Sequence, residues 1–315
     1  MKNSIIISIK QYFFIKRLYL IFKLLRVHHW IKNLFLFVPL FFAGALFNVD
    51  KLINVFLGFV AFSLVASSVY VLNDYFDIKN DRFHPTKRFR PLASGDLSKS
   101  LGLLVFISLL ILGFGLASVL QLKFLFILFL YFVINLAYSF GLKKLAILDV
   151  LLIAVGFVLR IKAGGALAGI YVTEWLIVMI FLLALFMALG KRMDDVVLKD
   201  FSGREARDSL KGYNREFLTS TMTMILAISL VAYLMYMMSP ATELKFGTHR
   251  LYYTFLFLIG GVLRYLQIIY VKKDSGSPTK ILYKDRFIQI CIFLWILSYA
   301  FIIYFPHFSL LDLVS

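Results

Sequence analysis

Residues 52–81 read LINVFLGFVAFSLVASSVYVLNDYFDIKND. The first 21 of them carry no charge, enough to cross a hydrocarbon layer of about 30 Å as a helix. Asn73 then opens a polar end with three carboxylates, Asp74, Asp77 and Asp81, and the basic residues Arg82, Lys87, Arg88 and Arg90 follow. If the chain stays helical through 74–81, a turn of about 100° per residue puts Asp77 about 60° and Asp81 about 20° from Asp74, on one face. Carboxylates so close repel one another unless a cation lies between them, and Mg²⁺ favours such oxygens together with substrate phosphates. The expectation is a Mg²⁺ site at Asp74, Asp77 and Asp81 beside cations for a diphosphate. A solvated loop between two spans is the plainer reading of any charge run. Both signs clustered directly against an apolar span favour function.

Working outward, 61% of the chain is hydrophobic and mean hydropathy is +0.87, which marks a polytopic membrane protein. The net charge of +17 raises nucleic acid as a partner. The basic residues gather in loops on one side of the spans, however, which the positive-inside rule explains without nucleic acid. A single cysteine, Cys291, rules out an intramolecular disulfide, and the one close histidine pair, His28-His29, lacks metal-ligand spacing. Lys10, Lys16 and Arg17 interrupt the first apolar run, so no signal peptide is expected. Residues 17–30 alternate basic and apolar positions like a helix lying on the membrane surface. The expected organisation is therefore an interfacial arm over 1–30 and one integral domain over 31–315.

Nine spans are expected, at about 31–48, 52–74, 98–119, 123–140, 146–169, 174–191, 216–238, 250–271 and 287–309. This is an all-α membrane bundle. Of the 34 Lys and Arg, 27 fall in the N-terminal arm and the loops after even-numbered spans. That side is the cytoplasm of a cell whose inner or plasma membrane holds the chain; the C-terminus faces out.

Arg160 lies about fourteen residues into the fifth span, on the order of 20 Å along a helix. An arginine at that depth is costly unless it meets a polar cavity or a counter-ion. Asp149, Gly156 and Arg160 fall within about 20° of one helical face. Lys162 points the other way and can snorkel. The connection Tyr138-Ser139-Phe140-Gly141-Leu142-Lys143-Lys144 supplies a hydroxyl and two cations, and Gly190-Lys191-Arg192-Met193-Asp194-Asp195 again sets cations beside carboxylates. Bundled helices are expected to bring these cytoplasmic ends to one polar mouth above an apolar cavity, suited to an ionic head on a hydrocarbon tail.

Asn73-Asp74-x-x-Asp77-x-x-x-Asp81 followed by Arg90-Pro91-Leu92-Ala93-Ser94-Gly95 resembles the first aspartate-rich motif of the UbiA superfamily of intramembrane prenyltransferases. Further stretches are similar to its decaprenyl-phosphate phosphoribosyltransferase branch. They are Arg26-Val27-His28-His29-Trp30-Ile31-Lys32-Asn33, His84-Pro85-Thr86-Lys87-Arg88-Phe89-Arg90-Pro91, Tyr138-Ser139-x-x-Leu142-Lys143, Gly190-Lys191-Arg192 and Asp285-Arg286-x-x-Gln289. The resemblance runs from about residue 23 to 290. One departure stands out: where that branch shows Lys-Arg-x-x-Glu, this chain has Asp195, one methylene shorter.

The resemblance implies nine helices around a lateral cavity and Mg²⁺-dependent transfer of 5-phosphoribose from phosphoribosyl diphosphate (PRPP) to a polyprenyl phosphate, in cell-envelope glycan precursor synthesis. Asp74, Asp77 and Asp81 would hold the metal, with Lys87, Arg88 and Arg90 as clamps on the diphosphate and Asn73 as a further substrate-binding candidate. Lys143, Lys191 and Arg192 would supply the cations for the 5-phosphate, and Tyr138 and Asp195 are further substrate-binding candidates. Arg160, or Lys32 with Asn33, would orient the acceptor phosphate. Prenyl transfer from a polyprenyl diphosphate to an aromatic or quinone-precursor acceptor would use the same metal motif. A transporter lined by the intramembrane charges is the non-enzymatic reading, and the sparse outward loops speak against it. A homo-oligomer is left open.

Overall fold

The computed structural model describes residues 17–83, 86–202, 208–271 and 278–304. The arm over 1–30 is described only from residue 17, and His84 and Pro85 of the basic motif lie outside the described residues. Regular structure among the described residues is entirely helical. Among the described residues, eight helices are long and apolar enough to cross a membrane. They are α1 (Val49–Phe76), α2 (Lys99–Leu120), α3 (Leu122–Phe140), α4 (Leu148–Ala168), α5 (Glu174–Ser202), α6 (Arg215–Met237), α7 (Phe255–Tyr270, extended at its start by a 3₁₀ turn, Arg250–Thr254) and α8 (Arg286–Tyr304). Each coincides with one of the second to ninth expected spans. The reason is physical: in lipid a helix satisfies every backbone hydrogen bond within its own segment.

The first expected span takes another form. Val27–Phe37 is a 3₁₀ helix and only Val38–Phe42 is α-helical, so the segment falls short of the eight by residue count. A 3₁₀ helix rises about 2.0 Å per residue, so Val27–Phe42 still reaches about 30 Å. Packing accounts for this conformation. Trp30 Nε1 donates to Ser67 Oγ at 3.0 Å, and Asn33 Nδ2 donates to Ser63 Oγ at 2.9 Å. Three residues of 3₁₀ helix and four of α-helix each rise about 6 Å, so the two antiparallel elements stay in step only if the first is stretched. The same three-residue spacing puts buried Asn33 and Leu36 one above the other.

The chain forms two compact units. One holds the described residues up to Leu40, Leu46–Ser139 and Leu159–Ile170; the other holds Phe41–Ala45, Phe140–Val158 and the described residues from Tyr171 onward. In the first, α1 packs along α2, and Gly113 makes this possible: a Cβ there would stand 2.7 Å from Val65 Cγ2. Leu24 of the helical stretch 17–25 anchors the arm in a cluster with Val71, Ile78, Leu92 and Leu97, while Leu18, Tyr19 and Phe22 stay exposed. In the second unit, α5 packs against α6 and α7 against α8 around Phe186, Leu189, Met193, Leu218 and Tyr265.

α1 starts on the side chain of Asn48, which accepts from Lys51 N at 3.1 Å. At 28 residues it is about 42 Å long, more than the hydrocarbon thickness, so its last turn carries Asn73 and Asp74 to the membrane surface. It does not run unbroken through residue 81. Asp77 (φ −84°, ψ 0°) separates it from a short helix, Ile78–Arg82. Backbone bonds from Asp77 N to Asn73 O and from Asp81 N to Asp77 O keep the helical register across this break.

Candidate active site

At the end of α1 the carboxylates of Asp74 and Asp81 are buried, 2% and 3% exposed. Arg90 joins them: its Nη1 stands 3.1 Å from Asp74 Oδ1 and 2.7 Å from Asp81 Oδ2. Asp74 Oδ1 also takes Arg26 Nη2 at 2.6 Å. Arg26 ends the arm helix in the left-handed region (φ 52°, ψ 48°), unusual for a non-glycine residue, and its guanidinium lies 5.1 Å over the Tyr70 ring. Arg90 is placed by the turn Lys87–Phe89 and by Pro91, the first residue of a short helix Pro91–Ser94.

One guanidinium nitrogen thus occupies the point shared by two carboxylates, which is where a bridging cation belongs. Among the described residues no three His, Cys, Asp or Glu converge as metal ligands. Two carboxylates nonetheless suit Mg²⁺, which completes its octahedron with water and substrate phosphate oxygens. Asp77 is half-buried at the helix break. Arg88 is exposed, with its guanidinium 4.8 Å over the Phe89 ring. Lys87 and Asn73 are half-buried.

A second polar group lies deeper in the same unit. Arg160 on α4 is buried; it donates from Nε to Asn33 Oδ1 at 2.9 Å and from Nη2 to the Tyr131 hydroxyl at 2.9 Å. Its guanidinium lies 5.2 Å from the Phe62 ring centre and 4.8 Å from that of Tyr131, in reach of cation–π attraction. Asn33 is therefore shared between Arg160 and Ser63, whereas Lys32 is exposed. Lys162 is exposed, as its angular position implies. Gly164 lets α4 touch the 3₁₀ helix backbone to backbone, since a Cβ there would sit 1.9 Å from Leu36 O.

In the other unit, Arg192 is 1% exposed and faces inward. Its Nε meets Asp149 Oδ2 at 2.7 Å and its Nη1 meets Asp195 Oδ2 at 3.1 Å. Lys191, one residue earlier on α5, is exposed. Asp194, expected beside the cations, takes Lys280 Nζ at 2.7 Å. Lys143 is half-buried in the 3₁₀ turn Leu142–Lys144, and Tyr138 is half-buried near the end of α3. Asp149 and Arg160 do share a face of α4 by angle, but each engages partners in its own unit.

Arg26, Ser63 and Tyr131 have no role in the sequence reading, nor has Tyr213, whose hydroxyl donates to Asp149 Oδ1 at 2.7 Å. Tyr131 and Ser63 could have been noticed as polar groups inside apolar runs. Arg26 stood within a quoted motif, and Tyr213 carried no signal.

The UbiA prenyltransferase family model matches residues 34–297. The decaprenyl-phosphate phosphoribosyltransferase of Mycolicibacterium smegmatis is 34% identical over 300 residues, covering 90% of this chain and 92% of that protein. The enzyme of the same name from Corynebacterium glutamicum is 30% identical over 286 residues, covering 90% and 86%. A solved structure of a UbiA homolog from Archaeoglobus fulgidus bound to DMAPP and Mg²⁺ superposes with a TM-score of 0.66 at 22% identity, covering 90% of this chain and 98% of that one. The helices, the buried carboxylates at the end of α1 and the match along most of the chain lead to one conclusion: this protein belongs to the UbiA prenyltransferase family.

Proposed function

We propose that the chain transfers 5-phosphoribose from PRPP to a polyprenyl phosphate, releasing pyrophosphate, as a step in making cell-envelope glycan precursors. The observation that carries this reading is the near end-to-end similarity to relatives named for decaprenyl-phosphate phosphoribosyl transfer. In the reaction the anomeric C–O bond to diphosphate breaks, its electron pair leaves with pyrophosphate, and an oxygen of the lipid phosphate bonds to the anomeric carbon. That phosphate is already ionised at pH 7, so no strong base is required.

The residues support such a step. Asp74 and Asp81, with Asp77 as a further ligand, would hold Mg²⁺, and the charge it would supply there would offset that gathering on the leaving diphosphate. Arg90 and Arg26 carry guanidinium N–H groups suited to phosphate oxygens, and Lys87 and Arg88 follow on the same segment. Lys143 and Lys191 are the cations for the 5-phosphate, with Tyr138 close before Lys143 in sequence. Arg192 and Asp195 support that region through their ion pair. Arg160 and Asn33 orient the acceptor phosphate, with Lys32 one residue away on the 3₁₀ helix.

The charge asymmetry of the loops supports a cytoplasmic N-terminus and carboxylate cluster, the side from which a water-soluble donor would come. With Val27–Phe42 as the ninth crossing the C-terminus lies outside. Residues 31–315 act as one transferase domain.

Membranes containing the protein, given PRPP labelled in the ribose and a polyprenyl phosphate, should pass label into the lipid extract, and EDTA should stop this. Label that stays in water while a polyprenyl diphosphate alkylates an aromatic acid would establish prenyl transfer instead.

A further inference from the structure

The turn that carries Lys143 and Lys144 is held by a side chain for which the proposed reaction has no use. Just beyond the turn Ile147 sits at φ 70°. Positive φ is a genuine outlier for a β-branched residue, and such strain persists only where the surroundings over-determine it. Here they do. Tyr213 follows the 3₁₀ helix Asp208–Gly212, and its hydroxyl accepts the Ile147 N–H at 2.6 Å while donating to Asp149 Oδ1 at 2.7 Å. The other Asp149 oxygen takes Arg192 Nε at 2.7 Å. Tyr213, Asp149 and Arg192 are all buried.

A second contact joins the same two segments: a Cβ on Gly212 would stand 2.5 Å from Ala146 Cβ, so they meet without space between them. Burial, and then donation to the Asp149 carboxylate, push the Tyr213 phenol up from its ordinary range, so it stays protonated at any working pH. Its hydrogen and its acceptor face are both in use.

We propose that Tyr213 is a positioning residue: through Ile147 it latches the Lys143–Lys144 turn, in a strained conformation, to the buried Asp149–Arg192 pair, and so fixes how these lysines meet the donor's phosphate. Without the latch Ile147 relaxes towards negative φ, and the turn before it swings. The role in binding rests on the reading that Lys143 serves PRPP; the latch itself does not.

Tyr213→Phe in the purified full-length protein tests both parts. The KM for PRPP should rise about tenfold, with kcat and the KM for polyprenyl phosphate within about twofold of wild type. Amide exchange in peptides spanning 142–148 should quicken about tenfold. Adding Ile147→Gly to Tyr213→Phe should restore most of the PRPP affinity, because glycine holds positive φ without strain. An unchanged PRPP KM, an equal loss for both substrates, or no recovery with glycine would overturn the positioning role. If wild type moves no label from PRPP, the proposed reaction falls; exchange then decides the latch, which faster exchange upholds and unchanged exchange overturns.

Discussion

Arg160 donates its Nε to Asn33 Oδ1 at 2.9 Å across 127 residues of sequence. The bond ties α4 to the 3₁₀ helix, and the Tyr131 hydroxyl takes a second hydrogen of the same guanidinium. These two acceptors are neutral. They hold the guanidinium in one orientation, which a side chain that positions an anionic substrate requires.

Arg160→Leu should therefore cut activity per folded molecule about 100-fold or more while lowering the melting temperature in detergent by only a few degrees. Both quantities can be read on one preparation. A strongly destabilised variant with normal specific activity would make Arg160 a structural residue.

Asp74 and Asp81 converge on Arg90 Nη1, and Asp77 stands at the helix break. Asp74→Asn and Asp81→Asn each remove one of the two groups that converge on Arg90, and each should reduce Mg²⁺-dependent turnover about 100-fold or more. Asp77→Asn should instead raise the Mg²⁺ needed for half-maximal rate about tenfold, leaving the saturated rate within about threefold. Magnesium titrations of the three variants separate these outcomes. Full activity in Asp74→Asn would remove the metal from this site.

Lys191 and Arg192 are neighbours in sequence with opposite surroundings. Arg192→Ala leaves the Asp149 carboxylate buried without its ion-pair partner, which costs about 3–5 kcal/mol, so folded yield should fall sharply. Lys191→Ala removes an exposed charge, so the fold should survive and the KM for PRPP should rise, with that for the lipid unchanged. Size-exclusion yield together with the two KM values checks the contrast.

Two glycines test the packing. Gly164→Ala drives a Cβ to within 1.9 Å of the Leu36 carbonyl, so the 3₁₀ helix must shift, and the melting temperature should drop by at least about 5 °C. Gly115→Ala on α2 meets nothing within 4 Å and gains helix propensity, so its melting temperature should hold or rise slightly. Equal effects at the two positions would contradict the close approach at Leu36.

Much of this was decided locally. Long apolar runs such as 52–72 become helices because lipid offers backbone groups no other partner, so α1 to α8 could be read from composition and length alone. The clustering of Asp74, Asp77 and Asp81, the misplaced Arg160 and the one-sided charge were equally legible, since each is a matter of spacing or count along one segment. Tertiary structure alone decided which partner each group meets. Spacing sets angles around a helix but not the helix's rotation against its neighbours. Nothing local told Arg192, turned inward to Asp149, from Lys191, left exposed. The 3₁₀ form of Val27–Phe37 follows from keeping step with Ser63 and Ser67, and the work of Tyr213 on Ile147 spans 66 residues. Such contacts belong to the packed state, where a residue's role is set by what folding places beside it.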